Sequence, residues 1–275
     1  MTELPAMVSF GDGSRAWRAT SSRLARQAAS SNYFSRIKVH TISSLPNEDA
    51  QENYLTGNDY QAGKGFGYWR WKPRIVVDSL NNLDSKTPGV WYLDAGCTLV
   101  CNLATRARMN FYLEKGLEAG WGVGFQLGEP FTEARYTKRA VHEKFGLSRE
   151  LASTGQVQAT AVFFANTDLG KHVAHEWLLA SKERSLFDDS DDFPRLDIPS
   201  ANYVGHRHDQ SVLSCILKTF GLQTLDDELN IERPELLLMP KDKIPYPILG
   251  TRHKSRFDSL SMNPAMRAIR MVEGL

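Results

Sequence analysis

Short apolar runs alternating with helix-patterned stretches constrain this chain more than any other feature. "AMVSF" (Ala6–Phe10) has strand character and ends in "GDGS", a turn whose Ser14 can cap the next helix. Residues 16–30 read as that helix, with Trp17, Leu24 and Ala28 on one side, and "RIKVHTI" (Arg36–Ile42) alternates as a second strand. Pro73 suits the first turn of a helix through residue 83, because its missing N–H costs nothing there. "VWYL" (Val90–Leu93) is a third strand, followed by a helix over 104–119 and strands at 120–126 and Thr160–Asn166. A long helix is expected over 168–186 and another over 209–220. Strands separated by helices predict an α/β layer fold with a mainly parallel, mixed central sheet flanked by helices.

In such sheets ligands gather at the carboxyl ends of strands, which singles out Asp94 and the turn after the first strand. The chain has 275 residues and reads as one domain over 1–275, with 221–275 as a proline-punctuated tail packed on it. Thirty-three basic residues against thirty-two acidic ones argue against general attraction to nucleic acid. The odd count of three cysteines, without a CxxC pair, points to a reducing cytoplasm. The N-terminal stretch lacks the pattern of a signal peptide, and no apolar run approaches the ~20 residues that span a bilayer. A membrane-linked substrate would therefore be met at the inner face of the membrane. Oligomeric state has no signature here.

Four stretches carry chemistry. Asp94, in "YLDAG", is either a turn residue capping the next helix or a carboxylate for Mn²⁺ or Mg²⁺, ions that bridge to substrate phosphates. "KGFGYWRWKP" (Lys64–Pro73) is either a buried aromatic corner bent at its glycines or a stacking surface, with basic groups for phosphate. In "GHRHDQSVLS" (Gly205–Ser214), Asp209 stands at the start of an apolar-faced helix, as an N-cap or as a site carboxylate. Two histidines two residues apart, without further ligands, make zinc the weaker choice. "ILGTRHKS" (Ile248–Ser255) is either an exposed basic turn or a segment closing over a diphosphate.

Taken in order, "GFGYWRWKP", "VWYLDAG", "ARYTKRAVHEKFG" and "HRHDQSVLS" resemble a group of bacterial and viral GT-A glycosyltransferases related to capsule and polysaccharide biosynthesis. The resemblance spans residues 5 to 220. It implies a single GT-A domain that moves a hexose from a nucleotide-diphosphate sugar to a glycan or glycolipid acceptor, assisted by Mn²⁺ or Mg²⁺. Where the family carries a DxD motif, this sequence has Asp94-Ala95-Gly96, so only Asp94 carries over as a metal ligand, with His253 as its partner. The dipeptide Asp209-Gln210 matches one found beside the reacting sugar in retaining enzymes, which implies retention of anomeric configuration. Lys72 and Arg252 are assigned to the diphosphate and Trp69 and Trp71 to the pocket wall. Ser9, Phe10 and Gly11 are assigned to the nucleotide. Two other readings compete. One is a metal-dependent hydrolase of a phosphoester or glycoside built on the His/Asp cluster. The other is a sugar-binding module built on the aromatic cluster.

Overall fold

A computed structural model of the chain describes residues 3–12, 14–46, 64–229 and 239–251. Its centre is a five-stranded sheet of β1 (Ala6–Phe10), β2 (Arg36–His40), β3 (Gly89–Leu93), β5 (Gly122–Val123) and β7 (Ala161–Ala165), ordered β2-β1-β3-β7-β5. β1 pairs in parallel with β2 and β3, whereas β7 pairs antiparallel with β3 and β5, so β7 alone runs against the others. The α/β expectation, with a mixed and mainly parallel sheet, holds.

β1, β3 and β7 are buried along their whole length. Strands covered on both faces need apolar residues at every position, which explains their continuous apolar runs. Successive side chains point to opposite faces. Val8, Phe10, Val90, Tyr92, Val162 and Phe164 enter one core layer, beneath helices α2 (Lys72–Asn81), α7 (Asp168–Ser181) and α8 (His208–Thr219). Met7, Trp91, Leu93, Ala161 and Phe163 enter the other, against α1 (Arg15–Ser31) and α3 (Leu103–Ala119).

Ser14 caps α1, its hydroxyl accepting from Trp17 N at 3.1 Å. Leu24 and Ala28 are buried on α1 as expected, but Trp17 is 39% exposed. The strand expected over 120–126 is two pieces: β5 joins the main sheet, while β6 (Phe125–Gln126) pairs with β8 (Leu225–Asp226). The helix expected to reach residue 186 stops at Ser181 and gives way to a 3₁₀ turn, Arg184–Leu186. Three short helices, α4 (Glu133–Tyr136), α5 (Arg139–Lys144) and α6 (Arg149–Ala152), fill the connection before β7. Of the C-terminal residues, β9 (Ile248–Leu249) pairs antiparallel with β4 (Thr98–Leu99), just beyond the end of β3. Among the described residues no helix is long and apolar enough to cross a membrane.

Candidate functional site

Three residues from separate sequence blocks meet at the ends of β1 and β3. Asp94 follows β3 directly, and its backbone N–H donates to Thr160 O at 2.8 Å. Lys72 opens α2, where Pro73 occupies the first turn as its missing donor allows. Asp209 lies in the first turn of α8. The Lys72 Nζ stands 2.9 Å from Asp94 Oδ1 and 2.7 Å from Asp209 Oδ2. It also donates to Ala159 O at 3.3 Å and lies 5.1 Å from the centre of the Tyr92 ring. The Tyr92 hydroxyl donates to Asp94 Oδ1 at 2.6 Å. Residues two apart on a strand share a face, which brings Tyr92 and Asp94 together.

Burial differs across the cluster. The Lys72 and Asp209 side chains are 3% and 8% exposed, against 33% for Asp94. Asp94 is thus the member open to a ligand. Burial lifts the Asp209 carboxyl to about 6, with the Asp94 charge adding to the rise and Lys72 opposing it. Burial alone would lower the Lys72 ammonium, but the two carboxylates outweigh it and hold its pKa above the ordinary value. Burial, then Asp94, pushes the Tyr92 phenol well up, so it remains a hydrogen-bond donor.

The loop carrying Asp94 is braced from both sides. The Arg23 guanidinium, from α1, donates to Ala95 O at 3.2 Å and Cys97 O at 2.8 Å. Thr251 donates to Gly96 O at 2.9 Å, bringing the C-terminal segment against the same loop. Arg252 and His253, the next two residues, lie outside the described residues.

The aromatic block is a bend, in line with one of its two readings. Residues 65 to 69 all have positive φ, and Tyr68 N and Trp69 N donate to Lys64 O and Gly65 O, forming one turn of left-handed helix. Glycines take this conformation freely, but Phe66, Tyr68 and Trp69 do so at roughly 1–2 kcal/mol each. The bend is fastened by the Trp71 indole N–H, which donates to Gly65 O at 2.9 Å. Trp71 is buried, stacked on Phe10 with ring centres 4.1 Å apart. Trp69 instead lies over the His208 ring at 5.5 Å. Lys64 reaches Asp189 at 2.8 Å.

Asp209 does not cap its helix: α8 begins at His208, and Arg207 at the cap position makes no side-chain capping bond. The carboxylate turns to Lys72 instead. Gln210 takes another direction, since neighbouring helix positions do not share a face. Its amide donates to Gln156 Oε1 at 2.9 Å. Gln156 belongs to a buried network in which its amide nitrogen faces Glu133 Oε2 (3.1 Å), Thr137 Oγ1 (2.9 Å) and Ser211 Oγ (3.0 Å). Glu133 also receives Ser214 Oγ–H and stands 2.9 Å from Lys218 Nζ. Of this network, only Gln210 is a sequence candidate.

The two histidines of the block serve the backbone. His206 Nε2 meets Leu186 O at 2.9 Å, and His208 Nδ1 meets Phe187 O at 2.6 Å. Burial lowers the pKa of both rings. Of the first-strand candidates, Ser9 and Phe10 are buried on opposite faces of the sheet, so a nucleotide would meet them only through the backbone. Gly11 N donates to His40 O at 3.0 Å, and a Cβ on Gly11 would fall 2.0 Å from Ser21 Oγ. That contact explains the glycine by the close approach of α1.

No family model matches the chain, and no curated protein matches it. Among solved structures, the apo form of mouse xyloside xylosyltransferase 1 is similar to it. The TM-score is 0.41 and the identity 10%, over 82% of this chain and 85% of that one.

The described residues do not fit a divalent ion. No three His, Cys, Asp or Glu side chains among them are placed to share a metal. Mn²⁺ and Mg²⁺ need several oxygen ligands, yet Asp94 Oδ1 already holds a phenol and an ammonium. An ammonium and a dication 4 Å apart repel by roughly 8 kcal/mol at an effective dielectric of 20.

Proposed function

We propose that the chain is a glycosyltransferase that moves a hexose from a nucleotide-diphosphate sugar to a glycan or glycolipid acceptor. The observation carrying this reading is the convergence of Lys72, Asp94 and Asp209 on one ion cluster beside the carboxyl ends of β1 and β3. Those residues come from three of the four blocks that resemble glycosyltransferases, and strand ends are where α/β sheets bind ligands.

In the reaction, the bond between the sugar's anomeric carbon and the diphosphate oxygen breaks, and its electrons leave with the diphosphate. The acceptor oxygen bonds to the same carbon, and its proton is released. Positive charge grows on the sugar as the bond loosens. Asp94, the open carboxylate, faces the donor, and its charge counters the developing cation. Asp209 is held behind it through Lys72 and keeps the local field negative, since two carboxylates outnumber one ammonium. Arg252 retains the diphosphate role implied by the resemblance, and Trp69 forms part of the pocket wall. Retention of configuration is the expected stereochemistry.

The hydrolase alternative needs histidines free to activate water. His206 and His208 are buried, and each has one ring nitrogen on a main-chain carbonyl, so neither ring is open to water, which weighs against it. A panel of nucleotide-sugars, each tried with and without Mn²⁺, tests the proposal by thermal shift and donor cleavage. Stabilisation by one nucleotide family, with slow donor hydrolysis, is expected. No response to any nucleotide or nucleotide-sugar would sink it.

A further inference from the structure

The unusual part of the site is a buried ammonium where carboxylates converge. Lys72 Nζ bridges Asp94 Oδ1 at 2.9 Å and Asp209 Oδ2 at 2.7 Å, and its third contact is Ala159 O at 3.3 Å. The ammonium donates to Ala159 O and faces both carboxylates as ion pairs. It is only 3% exposed and starts a helix packed under the sheet, so it cannot swing into solvent to make room for a metal. Removing it would strand the buried Asp209 charge without a partner. We propose that Lys72 is the built-in cation of this site, standing between Asp94 and Asp209 in place of a divalent ion, so that the chain engages its donor without a metal. The inference rests on the glycosyl-transfer reading for the identity of the donor, whereas a metal titration reads the cluster itself.

The departure from the family's DxD motif points the same way. The position where a second carboxylate would help Asp94 hold a dication is Gly96. The two carboxylates that do meet come from distant segments and arrive with a lysine between them. One ammonium against two carboxylates leaves a net charge of −1, balanced enough to persist in a buried setting. The ammonium also fills the space between the carboxylates that a shared dication would need.

Titration of the full chain with Mn²⁺, followed by the free-ion paramagnetic resonance signal, tests this without an activity assay. Wild type and Asp94→Asn should bind Mn²⁺ equally weakly. Lys72→Met, which frees the carboxylate pair, should bind at least tenfold more tightly, and Lys72→Met with Asp94→Asn should lose that gain. Binding by wild type that disappears in Asp94→Asn would overturn the proposal. This comparison stands even if Lys72→Met does not fold. Turnover abolished by a chelator and restored by Mn²⁺ would also overturn it, leaving the transferase reading intact. Failure of every nucleotide-sugar to bind would instead remove the transferase reading and leave the metal titration unaffected.

Discussion

At the scale of single residues, Lys72 decides the character of the site. The family resemblance assigns it to a diphosphate, yet its ammonium is enclosed by Asp94, Asp209 and Ala159 O. Removing one partner of a buried pair typically costs about 3–5 kcal/mol, because the remaining charge is left uncompensated. Lys72→Met is therefore expected to lower urea-unfolding stability by that order. Asp94→Asn, at a half-open position, should lower it by less than about 1.5 kcal/mol. Equal losses would mean that the cluster is not organised around the lysine. Asp94 and Asp209 are legible in the sequence because a carboxylate after an apolar strand and one opening an apolar helix both stand out. Lys72 is legible as a basic residue beside Pro73, but its partners are not, since pairing across 22 and 137 positions depends on how β3 and α8 stack against α2. The Glu133–Gln156 network leaves no signal, because a Glu on a short helix ordinarily faces water.

At the scale of elements, the left-handed turn at 65–69 sets how α2 enters the core. Gly65 has φ +60°, and a Cβ there would fall 2.3 Å from the Trp69 ring. Gly65→Ala should therefore displace Trp69 from His208, cost about 2 kcal/mol or more, and change the tryptophan fluorescence of the folded protein. An unchanged spectrum with unchanged stability would contradict the account of the turn. The Glu133 network plays the matching role for α8, joining Ser211, Ser214 and Lys218 to the short helix α4 and to Gln156. Glu133→Leu should leave Lys218 with only the Thr154 and Gly155 carbonyls and destabilise the fold by about 3 kcal/mol. Thermal or urea unfolding reads this directly. The sequence pattern locates the long elements well, because burial of whole faces imposes periodicity. It misses the division of 120–126, where one apolar run serves two sheets.

At the scale of the whole molecule, buried histidines make the fold sensitive to acid. Burial lowers His40 and His142 from 6.5 to about 4, and it lowers His206 and His208 as well. Below pH 6.5 the unfolded chain takes up protons that the folded chain refuses, so stability falls as pH drops from 6.5 towards 4. His40 and His142 contribute roughly 3 kcal/mol apiece to that loss. Asp209 acts in the opposite sense: its raised pKa gives a contribution fully present below 3.8 and lost as pH rises through about 6. Four histidines outweigh one carboxyl, so urea midpoints should fall steadily over this window, and a flat profile would contradict the burial of these rings. In the proposed function, Asp94 faces a sugar donor, backed by Lys72 and Asp209. The most direct test follows donor binding and sugar transfer separately in Asp209→Asn, using the nucleotide-sugar that binds wild type. On the proposed function, donor affinity should stay within about threefold of wild type and transfer should fall by roughly 10²-fold or more. Transfer at the wild-type rate, or equal loss of binding and transfer, would contradict it.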